Sequence, residues 1–333
     1  MTHIVSSLAL AQMTRTVIGF ALCLASILAH GQAKRPHLCF LTFDAGTLES
    51  NRYGAFFQTL RERGHVPGRT IHIEYLSAQT RGESFPKLAE ACVRGKADII
   101  ATTTTPAAQA AKAATASIPI VMLITGDPIG AGLVASLAKP GGNVTGQSFM
   151  AGELAAKRLE ILKETIPGLS RVLVLTYPLD PISPTQIKAL QSAGTRLGIK
   201  LYVQHVRTAA DIEPAFQAGL KEATEAIFLT SESLFVASRQ RVIELLGRHR
   251  LPGIFAWPEY AREGGLMSYA HEPSELHRRA ALQVERILKG AKPADLPVEQ
   301  PTRFNFVINM KTARALGVRV PSSLLLRAVE VIE

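Results

Sequence analysis

Apolar residues follow two spacings along this chain. Short runs rich in β-branched residues, such as residues 38–43 and 118–124, predict strands, whereas longer segments with an apolar residue at every third or fourth position predict helices. The two kinds of segment alternate from residue 38 to residue 147. Repeated strand–helix–strand units of this kind favour a parallel sheet covered by helices on both faces.

The same alternation begins again in the second half of the chain, from residue 152 to residue 269. The fold class predicted is therefore α/β, with two Rossmann-like lobes that each contain a parallel sheet. A long helix at residues 274–289, a proline-broken stretch, a strand at residues 304–308 and a short helix follow. These elements are too few for a third domain, so we expect them to complete the two lobes.

Two local patterns predict helix positions in detail. Thr105-Pro106 and Asp127-Pro128 each combine an N-cap residue with a proline at the first helical position, which predicts a helix start at both. The second of these helices would cover residues 129–138. Another helix is predicted without a break over residues 235–249.

The N-terminal segment has the pattern of an export signal. Residues 17–29 are uncharged and apolar, too few for the ~20 residues of a membrane-spanning helix. Arg15 precedes them and the small residues of Gly31-Gln32-Ala33 follow, as a signal peptidase requires. We predict a signal peptide over residues 1–33, cleaved near Gly31–Ala33, and a periplasmic location. A buried or membrane-anchoring helix is the alternative, and translation could start at Met1 or Met13.

Composition and charge exclude several classes of protein. With 47% hydrophobic and 19% charged residues, the 333-residue chain can bury a core and is not disordered. The formal net charge of +10 would attract nucleic acid, but no run of basic residues is longer than a pair. We expect no nucleic-acid partner and a monomeric protein. Cys39 and Cys92 are expected to be buried thiols, with a disulfide between them as the alternative.

Candidate ligand contacts follow the predicted strands, because open parallel sheets bind ligands at their carboxyl ends. In the first lobe these residues are Asp44, Thr103, Thr104, Thr105 and Asp127. Hydroxyls and helix N-termini there would hold a small anion such as a carboxylate. Each residue taken alone could also serve only as a helix cap.

The second lobe offers aromatic and acidic residues at the corresponding positions, namely Tyr177, Ser231, Glu232 and Trp257, which is the only tryptophan. Facing the hydroxyls of the first lobe, this set suits a zwitterion with an apolar body, although a single tryptophan can equally belong to a core.

The sequence lacks a dinucleotide fingerprint, a nucleophile elbow, a zinc-binding helix motif and a P-loop. Asp127 and Glu259 could act as base and acid, but no spacing pairs them. We expect no enzymatic activity, no cofactor and no metal.

Four stretches carry a family likeness: PIVM at 119–122, GDPIGAGLVASLAKPGGNVTG at 126–146, GGLMSY at 264–269 and ILKGAKPADLPVEQPT at 287–302. They resemble the ABC-transporter substrate-binding family of the tryptophan/tyrosine type. The resemblance implies the type I periplasmic-binding-protein fold, with three hinge crossings between lobes that close on a small molecule. It also implies an inner-membrane ABC permease as the partner that receives this ligand.

Under this resemblance the crossings fall near residues 146–147, 270–271 and 298–301. The N-terminal lobe would comprise residues 34–146 plus 271–298, and the C-terminal lobe residues 147–270 plus 299–333. The ligand-binding candidates are then Asp44, Thr103, Thr104, Thr105, Asp127, Phe149, Tyr177, Ser231, Glu232 and Trp257. Asp44 stands where family members often have serine, proline or alanine, so the ligand class stays open, with an aromatic amino acid as the first choice. The alternatives are a ligand-sensing receptor for a separate signalling protein and a secreted enzyme on the same fold.

Overall fold

The computed structural model describes residues 35–43, 53–78 and 84–333, so the predicted signal peptide and Asp44 lie outside the described residues. The strands are β1 (His37–Thr42), β2 (His72–Ser77), β3 (Ile99–Thr102), β4 (Ile120–Thr125), β5 (Val144–Ser148), β6 (Arg171–Thr176), β7 (Lys200–His205), β8 (Ala226–Leu229), β9 (Gly253–Phe255), β10 (Met267–His271), β11 (Phe304–Asn309) and β12 (Glu330–Ile332). The helices are α1 (Gly54–Glu62), α2 (Phe85–Arg94), α3 (Thr105–Ala114), α4 (Ala151–Thr165), α5 (Ser183–Leu197), α6 (Ile212–Lys221), α7 (Ser233–Ala237), α8 (Arg239–His249), α9 (Pro258–Arg262), α10 (Pro273–Leu288), α11 (Met310–Leu316) and α12 (Ser322–Leu325).

The first sheet has the strand order β2-β1-β3-β4-β5 and is parallel throughout. β1 is buried along nearly its whole length because helices cover both faces of the sheet. On one face Phe40 packs against Phe56 and Phe57 of α1, and on the other Cys39 belongs to a cluster with Cys92 of α2. The predicted parallel α/β lobe is confirmed.

The second sheet has the order β12-β11-β10-β9-β8-β6-β7. Alternate residues of β6 enter different cores: Val172 and Val174 pack on the face of α4 and α5, and Leu173 and Leu175 on the face of α6 and α8. β11 runs antiparallel to β10, because it re-enters this sheet from the opposite direction at the end of the chain. The remaining pairs are parallel, and the two-sheet α/β fold is as predicted.

Three segments connect the sheets. The first joins β5 to α4, the second joins β10 to α10, which packs on α1, and the third leads into β11. The first and third lie side by side, since Ser148 N donates to Glu299 O (2.9 Å) and Glu299 N donates to Gly146 O (3.0 Å). Gly146 has φ +138°, and a Cβ there would lie 2.2 Å from Met122 O, so only glycine fits. This is the three-crossing architecture of the type I fold, and the predicted lobe boundaries remain predictions.

Several local predictions are wrong. Residues 128–138 form turns instead of a helix, because Gly130 and Gly132, the latter at φ +67°, interrupt the helical backbone. Asp127 therefore begins no helix. The predicted helix over residues 235–249 is divided at Ser238 into α7 and α8. In α3 the N-cap is Thr104, whose hydroxyl accepts a hydrogen bond from Ala107 N, and Thr105 is the first helical residue.

Cys39 and Cys92 form a disulfide, which corrects the expectation of two thiols. β1 and α2 pack together, and their cysteine Cα atoms lie 5.7 Å apart, within disulfide range. The bond closes a loop with a sequence separation of 53 residues and cross-links the strand to the helix at the core of the first lobe. In the described part of the chain, no helix is both long and apolar enough to cross a membrane.

Candidate functional site

The carboxyl ends of the strands in both sheets border a cleft, and the described residues there line two cavities. The larger, here called the large chamber, has a volume of about 530 Å³. Its walls from the first lobe, with α10, are Tyr53, Thr103, Ile124 and His277. Its walls from the second lobe include Val236, Arg239, Trp257, Glu259, Arg262 and Asn305. Glu272, Pro273 and Ser274 of the second crossing close one end.

A second cavity, here called the small chamber, has a volume of about 240 Å³. The first lobe contributes Phe43, Phe85, Thr104 and Pro106. The second lobe contributes Tyr177, Leu179, Asp180, Ser233 and Leu234. Because Thr103 lines one chamber and Thr104 the other, both cavities border the loop between β3 and α3.

The three consecutive threonines have different contacts. Thr103 is buried and donates its hydroxyl hydrogen to Thr42 Oγ1 (3.0 Å) at the wall of the large chamber. Thr104 caps α3 at the wall of the small chamber. Thr105 is buried, and its hydroxyl accepts a hydrogen bond from Gly126 N (3.4 Å), which ties α3 to the end of β4. Two of the three therefore border the cleft, while the third fixes its first-lobe wall.

Asp127 lies outside both chambers, in a groove of about 660 Å³ between the β4 end and α5. Thr185 Oγ1 of α5 donates to Asp127 Oδ2 (2.9 Å), and Gly130 N donates to Asp127 Oδ1 (2.8 Å). A Cβ on the adjacent Gly126 would lie 2.8 Å from Ile182 Cγ2, so glycine permits the close approach of the lobes there. The Asp127 carboxylate thus bridges the two lobes.

At the second-lobe wall, the rings of Trp257 and Phe149 both contact the imidazole ring of His271. Trp257 lines the large chamber, and its ring meets His271 edge-on with centroids 5.7 Å apart. Phe149, on the first crossing, lies 5.3 Å from the same histidine and is buried behind the chambers. Burial lowers the pKa of His271 to about 3, so this imidazole is neutral at physiological pH.

A buried polar network lies beneath the second-lobe wall. Glu232 Oε1 accepts hydrogen bonds from Ser183 Oγ (2.8 Å) and Gln186 Nε2 (3.1 Å). Arg158 donates to Ser231 Oγ (2.8 Å). Burial, with the charge of Asp180, raises the pKa of Glu232 to about 8, and burial lowers the pKa of Arg158 to about 9. Glu232 is therefore largely protonated near pH 7.

The structure brings four sequence candidates to the chambers: Thr103 and Trp257 to the large one, Thr104 and Tyr177 to the small one. Ser231, Glu232 and Phe149 lie behind the walls. Sequence reasoning missed Asp180 and, in the large chamber, Arg239, Arg262 and Glu272, and it considered Glu259 only as a catalytic acid. Asp180 stands in the loop that follows β6, so the strand-end rule used for Tyr177 would have identified it.

Two arginines and two glutamates line the large chamber. Arg239 Nε is paired with Glu263 (2.8 Å) and Arg262 with Glu330 (2.7 Å), while Glu272 accepts a hydrogen bond from Ser274 Oγ (2.8 Å). Among residues 35–43, 53–78 and 84–333, no cluster of three histidines, cysteines or carboxylates is arranged to hold a metal ion. The geometry suits reversible binding of a small polar molecule between two lobes.

Residues 44–332 match the family model described as ABC transporter substrate binding protein. The chain belongs to this family. Its members are substrate-binding components of ABC transporters and act outside the cytoplasm, and the prediction of such a function is confirmed. Neither this family nor the relatives described next support the alternative of a signalling receptor. The family and these relatives are described as binding proteins rather than enzymes.

A tyrosine-binding protein of Clostridioides difficile is 28% identical over 264 residues, which cover 79% of this chain and 76% of the relative. A structure from Streptococcus pneumoniae, an ABC domain in complex with L-Trp, is 25% identical with a TM-score of 0.82. A conserved domain protein from Vibrio cholerae is 26% identical with a TM-score of 0.83. Both superpositions cover 90% of this chain and 100% of the other chain.

Proposed function

We propose that this protein captures an amino acid with an aromatic side chain and delivers it, as a monomer, to an inner-membrane ABC permease. In this proposal, residues 1–33 are removed during export and the mature protein acts in the periplasm. Two relatives whose names state a tyrosine or tryptophan ligand support the choice of ligand.

The observation that carries the proposal is the pair of chambers between the strand ends of the two lobes. Ligand cavities commonly measure about 300–1,000 Å³ and combine apolar walls with a few polar groups. The large chamber, at about 530 Å³, has this character: Trp257, Tyr53 and Ile124 are apolar surfaces, and Thr103 and Asn305 are hydrogen-bonding groups. An aromatic side chain and a carboxylate group find matching surfaces there.

Each chamber has walls from both lobes, and the mechanism follows from this arrangement. A ligand in either chamber contacts both lobes only when they are together, so binding shifts the hinge equilibrium toward closure. A rotation of the lobes about the crossings would keep the hydrogen bonds between them. The permease would then distinguish the closed, loaded protein from the open one.

A thermal-shift and calorimetric screen of the purified protein tests the proposal, with the amino acids set against sugars, nucleosides and small carboxylates. At a hundredfold excess over its Kd, the ligand should add about 2.7 kcal/mol to the free energy of unfolding. Because Trp257 is the only tryptophan and lines the large chamber, tyrosine binding should change its emission. Stabilisation by a sugar or nucleoside, with none by any amino acid, would contradict the proposal.

A further inference from the structure

The small chamber differs from the large one in that no lysine or arginine is among the described residues that line it. Three aromatic rings line it, those of Phe43, Phe85 and Tyr177, together with Leu179 and Pro106. Among the described residues that line it, Asp180 is the one with a charged side chain. Aromatic faces and a carboxylate attract cations, the rings through their negative π-faces and the carboxylate directly.

The Asp180 side chain is fixed in position but incompletely bonded. It is 6% exposed, and its Oδ1 accepts a hydrogen bond from Ile182 N (3.1 Å). No described residue donates a hydrogen bond to Oδ2, and no described lysine or arginine lies within ion-pair distance. A buried carboxylate without a positive partner is unfavourable in a stable fold unless something else supplies the charge.

Of the two neighbouring carboxyl groups, Asp180 and Glu232, it is Asp180 that carries the negative charge. Burial raises the pKa of Asp180 to about 6, while burial and the charge of Asp180 raise the pKa of Glu232 to about 8. Near pH 7.5 Asp180 is therefore mostly ionised and the neighbouring Glu232 mostly neutral. In contrast, Glu259 and Glu272 of the large chamber share that cavity with two arginines.

We propose that the Asp180 carboxylate binds the ammonium group of the captured ligand, so that the small chamber holds the amine end of the molecule. The inference rests on the proposed amino-acid function and specifies how that function selects its ligand. Asp127, the other acidic candidate near the cleft, is bonded to Thr185 and Gly130 and faces the outer groove.

Closure of the lobes makes this contact selective. Phe43, Phe85 and Pro106 come from the first lobe and line the same chamber as Asp180, which belongs to the second lobe. Closing over an empty chamber removes water from the carboxylate without compensation, whereas closing over an ammonium group replaces that water with an opposite charge. Ligands without an amine would therefore bind weakly even if their ring and carboxylate fit.

The test uses calorimetry at pH 7.5 with three compounds: L-tyrosine, tyramine, which lacks the carboxylate, and 3-(4-hydroxyphenyl)propionate, which lacks the amine. The wild-type protein should bind the compound without an amine at least about thirtyfold more weakly than tyrosine, the loss expected when one member of a buried charge pair is removed. Asp180→Asn keeps the oxygen that accepts from Ile182. It should weaken binding of tyrosine by a similar factor and leave the amine-free compound unaffected.

Asp295→Asn, which changes an exposed aspartate outside both chambers, is the matched control and should bind all three compounds as the wild type does. Circular dichroism checks that the variants are folded.

If Asp180→Asn does not fold, the wild-type preference for tyramine over the amine-free acid decides the question, and equal binding of the two would overturn the inference. Tyrosine binding that is unchanged in a folded Asp180→Asn protein would overturn the inference but not the proposed function. Failure of the wild type to bind any amino acid would refute the function, and this inference with it.

Discussion

The two lobes stabilise their walls of the cleft by different means. In the first lobe, the disulfide between Cys39 and Cys92 links β1 to α2, and the polar groups at the cleft include hydroxyls and a capped helix. In the second lobe, a buried network of Arg158, Glu232 and Asp180 with their hydrogen-bond partners supports the wall. The stability of the first lobe should therefore depend on its cross-link, and the stability of the second lobe on pH.

The largest effect is expected from removing the cross-link. Replacing both cysteines, as Cys39→Ala/Cys92→Ala, should lower the free energy of unfolding by about 4 kcal/mol, because the unfolded chain regains the freedom of a loop of this length. Urea denaturation of the oxidised protein and the variant measures the difference. Equal midpoints and slopes for the two proteins would show that the disulfide does not stabilise the first lobe.

A smaller, pH-dependent effect is expected from Glu232→Gln. The folded-state pKa of Glu232, about 8, lies above its usual value of 4.5, so the folded protein retains a proton that the unfolded chain has lost. This contribution to stability is complete below pH 4.5 and is lost as the pH rises toward 8. Between pH 6 and pH 8 the wild type should lose about 2 kcal/mol relative to Glu232→Gln.

Urea midpoints of both proteins at pH 6 and pH 8 provide this comparison, and Glu164→Gln, on an exposed surface ion pair, is the control. The neutral His271 has a lowered pKa and acts in the opposite direction, but it is present in all three proteins. A constant difference between wild type and Glu232→Gln over this pH range would mean that Glu232 is ionised in the folded state.

The smallest effect concerns the contact between the lobes. Thr185→Val keeps the side-chain shape and removes the hydrogen bond to Asp127, which should cost the closed state about 1 kcal/mol. Ligand affinity should fall about fivefold as a result. Thr195→Val is the control for affinity measured by calorimetry, because the Thr195 hydroxyl lies on the same helix and donates to Gln191 O within it. Equal affinities of the two variants would exclude a role of this bond in closure.

Periodicity predicted most of the fold because the lobes are built from regular units. The sequence predicts strands over residues 171–176 and 226–229, and β6 and β8 have these same bounds. Each is a short apolar run that ends at polar or turn-forming residues. The pattern failed at residues 129–138, where apolar spacing resembles a helix but two glycines favour turns. β12 also went unpredicted, because a three-residue strand forms only where β11 already offers an edge.

The site was predictable only where a residue follows its strand directly. Thr103, Thr104, Tyr177 and Trp257 were found in this way, and each lines a chamber. His277 and Arg239 were not, because they reach the cleft through the packing of α10 and α8. The pairing of Cys39 with Cys92 depends on the contact between β1 and α2, which sequence spacing does not contain.

The bonded crossings restrict how this molecule can move. Gly146 and Ser148 are hydrogen-bonded to Glu299, and β10 is paired with β11 where the other two crossings enter the second sheet. Sliding one lobe past the other would break these bonds, whereas rotation about the line they define would keep them. The bonded crossings thus favour a change of one angle between the lobes, so that the two walls of the cleft meet in the same alignment whenever the lobes close.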